Sequence, residues 1–203
     1  MAHLDLNPKP KTDNRMLAIG LAAAAAALLV FAAFSRTWVA RPRPEIGFGP
    51  LGCTNCAMMV GAEGSDLSNS AFMEKLGELS RWADDKDKPS GTFAPMGYAS
   101  FGLCLLAALG LLAAAGIALK KARPTVPISP ASVALLALMV GLITGCVFIA
   151  TKPGGPGFVG VSTGFWAFGI GAVAGIASAQ MLAKLIRPVD PDLLADSMNP
   201  DAY

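Results

Sequence analysis

The chain has 203 residues, 54% of them hydrophobic and 15% charged, against roughly 25% charged in an ordinary soluble domain. That composition excludes a disordered chain, and four Cys with 22 Gly and 15 Pro in no triplet repeat exclude a disulfide-stapled or collagen-like one. A formal net charge of +2 and the lack of any run of five basic residues give no reason to expect nucleic acid as a partner. A membrane protein remains, with the lipid bilayer as its first partner.

Residues 1–15 carry Lys9, Lys11 and Arg15 ahead of an uncharged run at 16–34. A spanning helix needs about 20 apolar residues, at 1.5 Å each, to cross a hydrocarbon core of about 30 Å. The 19 residues of this run exceed the roughly 7 to 15 of a secretory signal core, so an anchor is expected. Cleavage after Val30-Phe31-Ala32 is the alternative, and it would leave three spans.

Residues 35–97 form a large segment expected on the extracytoplasmic side. Trp38 near its start suggests an interfacial ring. Gly47, Gly49, Pro50 and Gly52 then read as a loop, flanked by short extended pieces, leading into Cys53-Thr54-Asn55-Cys56. Further on, Phe72, Met73, Leu76, Leu79, Trp82 and Ala83 share one face at helical period, opposite Glu74, Lys75, Glu78 and Arg81. This predicts a helix of about four turns capped by Ser70. Phe72, Leu76, Leu79 and Trp82 either pack on the chain itself or form a docking face for a partner. Residues 84–91 read as a solvated linker, and Phe93, Pro95 and Tyr98 as an aromatic belt before the next span.

Three further uncharged runs follow, at 98–119, 131–150 and 158–183. Ser129-Pro130 marks the third span's start, with a capping hydroxyl and a first-turn proline. Residues 120–130 and 151–157 are the connections between them, so these three spans are expected side by side and antiparallel. Lys and Arg cluster before the first span, at Lys120, Lys121 and Arg123, and at Lys184 and Arg187, with only Lys152 in the short outer loop. The positive-inside rule then puts both termini in the cytoplasm, in a bacterial inner membrane if a periplasm is present. Arg36, Arg41 and Arg43 fall on the outer side, in a segment long enough to translocate regardless of charge. Residues 184–203 form the cytoplasmic tail, whose acidic part, 188–203, is expected to be mobile and solvated, with Leu193-Leu194 as an alternative anchor for a partner.

Lipid is as apolar as Leu, so helices in it associate through small residues. Gly160, Gly164, Gly171 and Gly175 in the fourth span and Ala137, Gly141 and Gly145 in the third supply them. They serve either the chain's own bundle or self-association and contact with other membrane subunits. No ionisable residue lies in any span, which argues against a lone pump or ion-coupled transporter.

The Cys53/Cys56 pair is the one constellation that resembles chemistry. Ala57 follows Cys56, so the c-type haem motif fails, and no nearby Cys or His completes a zinc site. No cofactor and no metal are expected. A disulfide remains, either structural or redox-active; a redox pair needs a helix N-terminus or cations to favour the thiolate, and the sequence announces neither. Cys104 and Cys146 are expected to pack as small apolar groups.

Four spans with a Trp and two Cys in a large first outer segment resemble the claudin and peripheral-myelin-protein plan, through Trp38 and Gly49-Pro50-Leu51-Gly52-Cys53. The chain departs from that plan in lacking Gly-Leu-Trp before the first Cys and the wider Cys spacing that links two strands. The outer Cys-x-x-Cys also resembles quinone-linked disulfide-generating membrane proteins, although 151–157 lacks their second pair. The expected fold is an all-α integral membrane protein, a four-helix transmembrane bundle whose outer segment holds one amphipathic helix. The expected function is a noncatalytic membrane subunit or scaffold whose outer segment mediates contact or assembly. A membrane thiol-disulfide oxidoreductase and a lipid- or small-solute-handling subunit are the alternatives.

Overall fold

The computed structural model describes residues 14–42, 45–79, 90–120, 129–153 and 159–186. Four long helices dominate it: α1 (Arg15–Phe34), α3 (Phe93–Lys120), α4 (Pro130–Ala150) and α5 (Thr163–Ile186). All four are long and apolar enough to cross a membrane. Helix α1 packs on α3 and α5, and α4 packs on α3 and α5, so the short connections put α3, α4 and α5 side by side while α1 closes the bundle.

The expectation of an all-α protein needs correcting. Five short strands, β1 (Val39–Pro42), β2 (Glu45–Phe48), β3 (Gly52–Thr54), β4 (Leu67–Ser68) and β5 (Gly160–Val161), form one sheet in the order β4-β3-β2-β1-β5. All four pairings are antiparallel. The Gly- and Pro-rich stretch expected to be loop supplies β2 and β3. A side chain at Gly49, in the connection between β2 and β3, would collide with the Ser35 carbonyl and come within 2.6 Å of the Arg36 Cα, so glycine lets this backbone lie directly on the end of α1. Composition alone reads such glycines as breakers.

Strand β5 comes from the other connection, which explains why α5 starts at Thr163 rather than 158. Ser162 donates its N–H to the Trp38 carbonyl at 2.8 Å and Gly164 donates to the Thr37 carbonyl at 3.0 Å, drawing this stretch into the sheet. Helix α3 starts earlier than expected, at Phe93. Its 28 residues amount to about 42 Å, more than the roughly 30 Å of a hydrocarbon core, and its first turn reaches the sheet, where Phe93 meets Phe48. Between the strands lie a 3-10 turn (Ala57–Val60) and helix α2 (Asn69–Leu79). Ser70 sits inside the first turn of α2; the hydroxyl that accepts from a first-turn amide, Ala71 N–H at 3.2 Å, belongs to Ser68. Pro130 does open α4, but the Ser129 hydroxyl makes no capping bond there.

Candidate functional site

The sheet, the Cys pair and α2 form a cap on one end of the bundle. Cys53 lies in β3, Cys56 precedes the 3-10 turn, and their sulfurs are at disulfide distance. Between them Asn55 adopts a φ of 53°, a left-handed conformation that Asn tolerates better than most residues. Its side chain donates to the Glu45 carbonyl at 2.9 Å. The Asp66 carboxylate ties down the same turn, accepting from Thr54 Oγ1 at 3.0 Å and from the Asn55 N–H at 3.2 Å, and it pairs with the Arg36 guanidinium. Those donors, the Asn55 amide foremost, hold its carboxyl below the ordinary 3.8.

Both Cys side chains have zero exposure. Thiol exchange requires a thiolate to reach a sulfur, and neither sulfur is exposed in this structure. The pair closes a tight turn.

A continuous run of rings joins cap to bundle. Trp38, expected at an interface, is fully buried and donates its indole N–H to the Ala32 carbonyl at 2.7 Å. It stacks on Phe168 with centroids 4.8 Å apart and meets Phe148 edge-on at 5.9 Å. Phe148 stacks on Phe93 at 4.6 Å, Phe93 meets Phe48, and Phe48 meets Phe72 at 5.2 Å. Phe93 is thus buried rather than part of a surface belt.

The residues expected on the outer face of α2 differ in their surroundings. Phe72 is buried against Phe48 of the cap, Leu76 is half-buried, and Leu79 is 54% exposed. Trp82 lies outside the described residues, as do the linker 84–89, the loop residues Lys121 and Arg123, Arg187 and the tail. Buried Asn69, which sequence reasoning took no account of, donates to the carbonyls of Gly49 and Pro50 at 2.9 and 2.8 Å. The same Pro50 carbonyl would lie 2.6 Å from a Cβ at Gly97 of α3, so α2, the loop and α3 meet there. Asn69 follows a Ser at the head of an amphipathic run, a position that reads as a cap and conceals a bridge.

The small residues of the spans are spread over several neighbours within the chain. Gly164 faces Ser35 and Trp38, Gly171 faces Leu28 and Leu29 of α1, and Gly175 faces Leu138 of α4 and Leu111 of α3. Gly145 lies against Phe168 and Trp38, Gly141 makes an ordinary contact with Leu103, and Ala137 is buried. Gly160 departs from the helix-packing expectation, since it belongs to β5 and a Cβ there would meet nothing. Ser100 of α3 donates to Thr144 of α4 at 3.1 Å, a polar link between two apolar helices. Cys104 is buried and Cys146 exposed.

On the outward side of the sheet, Thr37, Arg41, Glu45, Asn55, Val161 and Ser162 line part of a recess of about 720 Å³. A scan of protein-family models finds none that matches this chain, and a search of curated proteins finds no relative.

Proposed function

We propose that the chain is a four-span protein of a bacterial inner membrane, with both termini cytoplasmic, and that its cap is a noncatalytic contact surface for assembly with a second copy or another membrane subunit. The distribution of charge supports this orientation. Among the described residues, Arg15, Lys120 and Lys184 lie at the helix ends opposite the cap and Lys152 in the short connection beside it, while Arg36, Arg41 and Lys75 fall in the long outer segment, which translocates largely regardless of charge. Cations gather on the cytoplasmic side of short-looped membrane proteins.

The observation that carries the assembly reading is the outward recess on a sheet held rigidly to the bundle. Its lining mixes Arg41 and Glu45 with the exposed apolar edge residue Val161. A surface already fixed by a disulfide, an ion pair and a ring stack loses little freedom on binding, which favours affinity from a modest area. The oxidoreductase reading uses the same Cys pair, and the burial of both sulfurs weighs against it.

Native electrophoresis of membranes solubilised in mild detergent tests the proposal. A species larger than the monomer is expected, reduced to monomer by Glu45→Arg combined with Val161→Glu without a fall in protein level. A wild-type monomer, or a complex indifferent to both changes, overturns it.

A further inference from the structure

At the end of the bundle opposite the cap, a cleft of about 200 Å³ opens between the first turns of α4 and the last turns of α5. Buried Ala131 and Ala179 form its floor, with Leu135 beside them. Ser132, Gln180 and Lys184 are exposed at its mouth. Among the described residues neither Gln180 nor Lys184 has a side-chain partner. An amide at the edge of an apolar span is costly to leave unmatched, because lipid tails cannot hydrogen-bond to it.

We propose that this cleft binds one anionic phospholipid, its phosphate held by Lys184 and Gln180 and the first methylenes of an acyl chain lying against Leu135. The inference rests on the membrane-spanning reading above. Three observations fix the occupant. The first is charge: Lys120 and Lys184 close α3 and α5 at this end, and no carboxylate among the described residues lies there, so the described side chains attract an anion. The second is size. The volume equals that of about seven waters, enough for a phosphate with its ester oxygens and too small for a helix about 10 Å across. The third is the lining, with Ser132 and Lys184 in the terminal turns and Leu135, Ala179 and Gln180 one turn further in, so a charged group at the mouth leads to a largely apolar floor. Basic pockets between spanning helices on the cytoplasmic side are a recurrent setting for anionic headgroups. The positive end of the α4 dipole adds to the same field.

Native mass spectrometry of the full chain in mild detergent, with phosphatidylglycerol, phosphatidylcholine or inorganic phosphate added in parallel, tests this. Wild type should retain one phosphatidylglycerol in preference to phosphatidylcholine. Lys184→Gln should weaken that retention about fivefold, the worth of one lysine near an anionic surface, whereas Lys120→Gln, outside the cleft, should leave it unchanged. Ala183 also lines the cleft, so Ala183→Leu fills it without altering charge and should also release the lipid; it decides the matter if Lys184→Gln does not accumulate. Equal retention of the two lipids, indifference to both cleft variants, or displacement of phosphatidylglycerol by inorganic phosphate overturns the proposal. A chain absent from the membrane fraction would instead refute the spanning reading, so the two failures are distinguishable.

Discussion

In the cap, the close contacts are directional: Asp66 takes donors from Arg36, Thr54 and Asn55, Asn69 bridges two carbonyls, and a file of rings runs from Phe72 to Trp38. In the bundle the close contacts are alanines and glycines against leucines, with the Ser100–Thr144 bond between α3 and α4 among them. On the proposed membrane-spanning reading, the difference follows from the solvent each region meets. A cap in water gains from burying aromatic area, but its strands are only two to four residues long, so side-chain ties must fix them. Helices in lipid already satisfy their own backbone and gain from close approach. Single substitutions in the cap should therefore have large effects, and polar substitutions in the bundle small ones.

The sharpest test of that contrast is Trp38→Ala. It empties the point where α1, α4, α5 and the sheet meet, and should cost about 3 to 5 kcal/mol, read as a lowered Tm in detergent and reduced accumulation. Next in size is Cys53→Ser with Cys56→Ser. Closing so short a loop restricts the unfolded chain only modestly, so a loss of about 2 kcal/mol is expected. Oxidation of a partner thiol lost by that double variant, at unchanged protein level and complex size, would favour the redox reading. In the bundle, Ser100→Ala removes one interhelical bond and should cost about 0.6 kcal/mol; a loss as large as that of Trp38→Ala would erase the contrast between the regions.

The smallest effect concerns pH. Asp66 titrates below its ordinary 3.8 when folded, so its ties add stability above that pH and lose it as the pH falls through the depressed folded value. Asp66→Asn should flatten the acid limb of cap stability, followed by Trp38 fluorescence, while leaving the neutral plateau only slightly lower. An unchanged acid limb would show that the carboxylate plays no part in holding the turn.

The bundle was legible because four uncharged runs of bilayer length leave few other solutions, and α1 and α4 start within a residue of the expected spans. The cap was largely illegible. Its strands are too short to show a period of two, and β5 pairs with β1 across more than a hundred residues of sequence. Gly47, Gly49 and Gly52 looked like breakers because glycine signals both a turn and a close backbone approach, and only the tertiary partner distinguishes the two. The Cys pair was visible as a motif, but its burial depends on the sheet that encloses it. Asp66 and Arg36, which tie the cysteine turn to the end of α1, stand 30 residues apart and carry no local signature.

The account depends on the cap and the α4–α5 cleft facing opposite sides of a membrane. Single reporter cysteines test this, placed at exposed Glu63 in the cap or at exposed Lys184, with Cys146→Ser and the buried disulfide left in place. A membrane-impermeant maleimide applied to intact cells should label Glu63→Cys and should label Lys184→Cys only after the cells are opened. Labelling of both positions in intact cells, or of Lys184→Cys alone, would contradict it.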